Sequence, residues 1–158
     1  MIINYLLHGI AINENLNTKK IVNELRKAKY AIWMINGKNW LTDEHIYPLL
    51  LNHLNEGVNI EIVMNDYILS DYENAKLQMF IDAGGEIFLI DNKQLEKPLN
   101  ERYCIIDYSS VANIRVINND ELKPHQGSEF IKENRETLIE NYIDEYLYIK
   151  NTFCKNRY

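Results

Sequence analysis

Residues 31–66 read AIWMINGKNWLTDEHIYPLLLNHLNEGVNIEIVMND, and their organisation decides the fold. With Tyr30, the opening YAIWMI (30–35) is too apolar and too rich in β-formers for a surface helix and reads as a buried strand. NGKNW (36–40) reads as a turn or loop. Thr42 is placed to cap a helix whose first turn carries Asp43 and Glu44, where the dipole favours acids. Ile46, Leu49, Leu50, His53 and Leu54 recur at helical spacing and form its inner face. Pro48 falls early in that helix, where a missing backbone donor costs least. Gly57 suits the left-handed position after the last turn. VNIEIVM (58–64) alternates and is β-branched, so it is a second strand. A strand, a helix and a strand joined this closely predict a parallel pair with a helical crossover.

The same alternation continues outward in both directions. Upstream, Asn17 or Thr18 caps a helix running to about Ala28, with Ile21, Val22, Leu25 and Ala28 on one face. The first residues, MIINYLLHGIAIN, read as an opening strand; they carry no basic n-region and no small-residue cleavage site, so they are not read as a signal peptide. Downstream, a helix spans about 71–83 with Leu77, Phe80 and Ile81 inward, and Gly84-Gly85 stops it. EIFLID (86–91) is a strand, and a polar loop containing Pro98 leads to RYCIID (102–107). VANIRVI (111–117) is its expected antiparallel partner across the YSS turn. Residues 118–128, with Pro124 and Gly127, read as a loop. A closing helix covers roughly 130–150, with Leu138, Ile139, Tyr142, Ile143, Tyr146 and Leu147 as its stripe. The expectation is one domain over 1–158: an α/β fold with a mostly parallel mixed sheet flanked by helices on both faces.

The net charge of −6 argues against broad electrostatic binding to nucleic acid or anionic membrane and leaves room for a local basic pocket. Every apolar run is far shorter than the roughly 20 residues a bilayer span needs. Cys104 lies inside an apolar strand and reads as a small hydrophobe; with Cys154 it makes no disulfide framework, so a reducing cytoplasm is the expected location. His8, His45, His53 and His125 are scattered, and neither a metal nor a cofactor is expected. Trp33, Trp40 and the tyrosines are spread along the chain, which favours core and interface packing over a ligand-stacking set.

The ordered parts of this pattern resemble the phospholipase D-like superfamily over roughly residues 18–150. The apolar strand is followed by a loop carrying Trp40, by Thr42 at the head of a helix, by Gly57-Val58, and by a strand ending in Asn65-Asp66. AGGEIFLI (83–90) matches that family's glycine before the next strand. The family's chemistry sits in His-x-Lys-x4-Asp, and NERYCIID (100–107) keeps that spacing as Asn100, Arg102 and Asp107. The histidine and lysine positions differ; Asp107 agrees. NIRVINN (113–119) lacks the family's Gly-Ser, while Gly127-Ser128-Glu129 falls where the family often has a second polar cluster.

In that family two such motifs meet, one histidine attacking phosphorus and the other protonating the leaving oxygen. Asn100 does not titrate near neutral pH and is a very poor nucleophile, so the resemblance implies a homodimer lacking both imidazoles and no phosphodiesterase turnover by that mechanism. Arg102 keeps a positive charge and gains a bidentate fork suited to phosphate or carboxylate. The expected ligand-binding set is Asn100, Arg102, Ser128 and Glu129. Arg102 bridged to Asp107, or to another carboxylate, is the structural alternative. The implied function is a binding or assembly module for a phosphate-bearing ligand or a protein partner. The alternative is an active phosphodiesterase or nuclease using a relocated histidine such as His125, in KPHQGSE (123–129).

Overall fold

The computed structural model describes residues 19–36, 38–66, 69–91, 101–110, 112–120, 129–132 and 136–157. Helix α1 runs through 19–26. It is followed by β1 (Ala31–Ile35), α2 (Lys38–Leu41), α3 (Ile46–Asn55), β2 (Asn59–Asn65), α4 (Asp71–Asp82) and β3 (Glu86–Ile90). Then come β4 (Glu101–Ile106), β5 (Arg115–Asp120), β6 (Glu129–Lys132), α5 (Glu136–Phe153) and β7 (Cys154–Arg157). The seven strands form one sheet in the order β6-β5-β4-β1-β2-β3-β7.

The α/β class and the crossover pair are as the sequence predicts: β1 and β2 are parallel, with Ile32 beside Ile60 and Ile35 beside Val63. β3 joins them in parallel. The remaining neighbours, β1–β4, β4–β5, β5–β6 and β3–β7, are antiparallel. The sheet is therefore mixed with a three-stranded parallel centre, not mostly parallel. The antiparallel β4 beside β1 and two four-residue strands make the difference. EFIK (β6) lies where the closing helix is expected to begin, and CKNR (β7) follows that helix. Neither carries a long β-branched run, and each exists through pairing with an exposed edge. α5 accordingly starts at Glu136 and ends at Phe153.

Smaller departures have local causes. NGKNW is not a plain loop: residues 38–41 form α2, which buries Trp40 and Leu41. Thr42 does not cap α3, which is preceded by His45 with no side-chain cap; Asp43 Oδ1 accepts from the backbone N–H of His45 and Ile46. β5 begins at Arg115 rather than 111, because two turns intervene, Ser110 N–H donating to the Asp107 carbonyl and Asn113 N–H to the Ser110 carbonyl. The expected opening strand (1–13) lies outside the described residues. Ser70 and Glu73 close a reciprocal capping box on α4.

Side chains alternate between two cores. One face of the sheet presents Ile32, Met34, Ile62, Met64, Cys104 and Ile106 to α1–α4, whose Leu25, Trp40, Leu50, Leu77 and Phe80 fill that layer. The other presents Ile35, Val63, Ile90, Tyr103, Ile105 and Val116 to α5, through Ile139, Tyr146 and Ile149. Half-buried Trp33 stacks on Tyr108 and on Tyr146, at ring-centroid distances of 3.9 and 4.9 Å. Helices thus cover both faces.

The loop entering β1 is fixed by one side chain from β4's end. Asp107 is fully buried, and its Oδ1 accepts from the N–H groups of Lys29 (3.1 Å), Tyr30 (2.8 Å) and Ala31 (3.2 Å). Its Oδ2 lies 3.6 Å from the Arg115 guanidinium. Arg115 in turn donates to the Glu24 carboxylate (3.1 Å), the Glu24 carbonyl (2.8 Å) and the Asn113 carbonyl (2.7 Å). One carboxylate and one guanidinium therefore tie α1, the β1 entry, β4 and β5 together. Asp107 itself sits at φ 53°, a strained conformation for a non-glycine residue that these bonds hold in place.

Two stability predictions follow from these contacts. Asp107→Ala strands three backbone donors and a buried guanidinium, and is expected to cost about 3–5 kcal/mol in urea unfolding; Asp107→Asn, which keeps one acceptor oxygen, costs less. A Cβ on Gly85 would lie 2.2 Å from the buried Phe80 ring, so Gly85→Ala is expected to cost about 1–3 kcal/mol. Gly57→Ala meets no atom and bears only the strain of φ 91°, about 1 kcal/mol.

Candidate binding site at the carboxyl edge of the parallel strands

Open α/β sheets gather ligand-binding groups outside the carboxyl ends of their parallel strands. At that edge β1 runs into Asn36, β2 into Asn65 and Asp66, and β3 into Asp91, while antiparallel β4 begins there at Glu101 and Arg102. Asn36 and Asn65 are buried. Asn36 adopts φ 55°, and its N–H donates to the Val63 carbonyl at 2.7 Å, so the chain turns sharply off the sheet. Asp91 N–H donates to the Phe153 carbonyl at 3.0 Å, which pins the end of β3 to the end of α5.

Arg102 enters this edge through register. Tyr103 pairs with Ile35, so the next residue back, Arg102, falls beside Asn36. It shares a sheet face with Cys104 and Ile106, the face covered by α2. There its guanidinium carbon lies 5.2 Å from the Trp40 ring centroid. The cation–π contact braces one face of the flat guanidinium. Trp40 is the partner that the sequence reading assigned to core packing. It is buried and also supports the cation, and its signal is the aromatic residue at a fixed distance after the first strand.

The two described members of the motif do not meet. Arg102 opens β4 and Asp107 follows its end, five residue steps apart, roughly 17 Å along an extended strand. An Arg102–Asp107 salt bridge is thus ruled out: Asp107 serves the Lys29–Ala31 backbone and faces Arg115. Glu129 heads β6 in the register row of Asn118 and Tyr103, the same end of the sheet as Arg102 but two strands away. Asn100, His125, Ser128 and His8 lie outside the described residues. His45 is exposed on the turn before α3, 3.7 Å from Glu44. His53 is buried with its Nε2 2.7 Å from the Leu25 carbonyl, at the end of α3 that leads into the amino end of β2. The two described imidazoles are not grouped: His53 lies toward the amino end of β2, and His45 lies on the connection leaving the carboxyl end of β1, exposed beside Glu44.

On the opposite face of the same edge, α5 is docked by polar contacts. Tyr103 Oη donates to Glu145 (3.0 Å), and the Asn118 amide hydrogen-bonds the Tyr142 hydroxyl. One turn on, the Tyr146 hydroxyl and Lys150 Nζ both donate to Glu61, at 2.9 and 2.8 Å. Burial, reinforced by the Glu61 charge, pushes the Tyr146 phenol well up. Burial likewise pushes the Cys104 thiol strongly up, Arg115 offsetting it only in part, and raises Cys154 to about 11. Neither thiol is a nucleophile at neutral pH. Among the described residues no three His, Cys, Asp or Glu side chains are grouped as a metal site requires, and no helix is long and apolar enough to cross a membrane.

No family model and no curated protein matches the chain. Thirty-one chains of solved structures do. One is TrmBL2, an archaeal chromatin protein whose structure is described as showing a novel mode of DNA binding. It aligns with a TM-score of 0.55 and 16% identity over 89% of this chain and 50% of that one. The likeness is one of fold, and the present chain spans about half the length of that protein.

The raised thiol and phenol pKa values set an alkaline behaviour. The folded chain holds protons that the unfolded chain releases above its ordinary cysteine range near pH 8.5, so stability falls as pH rises beyond that point. The urea midpoint is expected to drop from about pH 8 upward, as unfolded Cys (about 8.5) and then unfolded Tyr (about 10) release protons that the folded chain keeps. Cys154 is expected to react with a disulfide reagent roughly tenfold faster per pH unit until about pH 11, and Cys104 only on unfolding.

Proposed function

We propose that this chain is a catalytically degenerate phospholipase D-like domain, a binding or assembly module that keeps an anion site at Arg102. The observation that carries this reading is the separation of the motif's described residues. Asp107 is committed to the backbone of the β1 entry, while Arg102 stands alone of the two at the carboxyl edge, braced on Trp40. A positioned guanidinium recognises phosphate, but a guanidinium and an asparagine supply neither nucleophile nor general acid. The strand–helix order and the Asn100-x-Arg102-x4-Asp107 spacing support the family resemblance.

The test has two arms. Bis(p-nitrophenyl) phosphate, single-stranded DNA and RNA, offered without metal, are expected to remain uncleaved. Turnover abolished by His125→Ala would overturn the reading in favour of an active enzyme with a relocated histidine. Binding of inorganic phosphate or a phosphate monoester is expected to weaken roughly tenfold or more in Arg102→Ala, the size of a charge-assisted hydrogen bond, with Arg102→Lys between the two. Unchanged binding in Arg102→Ala removes the anion site.

A second reading takes its support from the structural neighbour. TrmBL2 is a DNA-binding chromatin protein, and this chain corresponds to about half of it. On this reading the domain serves assembly or ligand sensing beside nucleic acid. With a net charge of −6 the domain itself is a poor surface for a polyanion. The expected assembly is a homodimer bringing two Arg102 edges together. Sedimentation as a monomer at micromolar concentration would remove that pairing.

A further inference from the structure

On the helical layer over the first face, α3 and α4 meet through a tyrosine. Tyr47, in the first turn of α3, is buried, and its hydroxyl donates to the Lys76 carbonyl of α4 at 3.3 Å. Tyr72, in the first turn of α4, is 65% exposed. Between the two rings lies the ammonium of Lys76, 4.5 Å from the Tyr47 centroid and 5.0 Å from that of Tyr72. Both distances are within the range in which a ring quadrupole attracts a cation. We propose that Tyr47 and Tyr72 form a half-cage for an alkylammonium group, with Lys76 occupying it in place of an external ligand: a lysine-type side chain of a partner protein or a small quaternary ammonium compound.

Three features support exchange. The Tyr47 wall is anchored to a backbone carbonyl, so it stays in place when the Lys76 side chain swings away. The Lys76 side chain is a flexible four-carbon stem, and its ammonium is well hydrated, so leaving the rings costs little. The surroundings are acidic: Asp43 and Glu44 precede Tyr47, and Asp71 and Glu73 flank Tyr72. These carboxylates offset the partial positive charge of the two helix N-termini, which would otherwise oppose a cation. The pair of rings is independent of Arg102, so the inference stands apart from the proposed anion site.

Tetramethylammonium and N-acetyl-trimethyllysine methylamide are the probes, titrated into the full chain while the Tyr47 and Tyr72 ring resonances are followed by NMR. Both are expected to bind in the millimolar range, as is choline, and choline's neutral isostere 3,3-dimethyl-1-butanol about tenfold more weakly, since a carbon in place of nitrogen keeps the shape and loses the charge. Lys76→Met vacates the cage and is expected to tighten binding about fivefold. Tyr72→Leu should abolish it and Tyr72→Phe, which keeps the ring, should retain it; this pair decides the matter should Lys76→Met fail to fold. Binding of the lysine derivative alone assigns the cage to a protein side chain, and binding of tetramethylammonium alone to a small molecule. Equal binding of the neutral isostere, no tightening in folded Lys76→Met, or full binding in Tyr72→Leu would overturn the proposal.

Discussion

The fold depends on what one buried carboxylate does for a loop with no regular partner. The chain between α1 and β1 aims three consecutive backbone N–H groups, those of Lys29, Tyr30 and Ala31, at one buried side chain. Asp107 receives them, at 2.8 to 3.2 Å, from across the sheet. A buried carboxylate is costly unless its lone pairs are used and its charge is faced, and here backbone donors and Arg115 do both. The arrangement also fixes where the central strand starts. Once Ala31 is anchored opposite the end of β4, the antiparallel register of β1 on β4 follows, and with it the position of Arg102 beside Asn36. The candidate site at one end of the sheet is set by a structural residue at the other.

This division of labour gives the motif spacing a physical meaning. Of its two described positions, Asp107 belongs to the scaffold and Arg102 to the carboxyl edge. A chain can change the chemistry at the carboxyl edge and keep the fold, provided the amino edge retains its carboxylate. The two described histidines stand apart from Arg102 in their contacts. His53 is spent on holding the last turn of α1, and His45 sits on an exposed turn.

Most of the fold was legible where local pattern and tertiary use agree. The alternation in residues 58–64, the apolar run ending at Ile35, the glycine at 57 and the Leu77/Phe80 stripe each point to one outcome, and the structure has it. The capping box of Ser70 and Glu73 was also written in the sequence, as Ser-x-x-Glu, beside the Leu77, Phe80 and Ile81 face and the Gly84-Gly85 stop that locate α4. What was not legible depends on distant partners. EFIK and CKNR become strands because β5 and β3 offer edges, and their composition says nothing of it. Arg102 and Asp107, five apart, can be read as an ion pair on paper; the length of the extended strand between them, roughly 17 Å, separates them. Arg115 lay unnoticed in VANIRVI, where its neighbours suggested nothing but a strand, and its acidic partner Glu24 is 91 residues away. The Trp40 contact had a hint in the sequence, an aromatic placed soon after the first strand, but burial and support of a cation are compatible roles and only coordinates reveal both.

The passage from α5 into β7 has a mechanical meaning. Phe153 ends the helix and Cys154 begins the strand with no intervening loop, and the Phe153 carbonyl also receives Asp91. A helix stitched to the sheet's border in this way cannot roll or slide across its face without unzipping that border. Whatever adjustment accompanies an encounter at the carboxyl edge is therefore channelled into the four shorter helices of the opposite layer, leaving the α5 side to act as a rigid backplate.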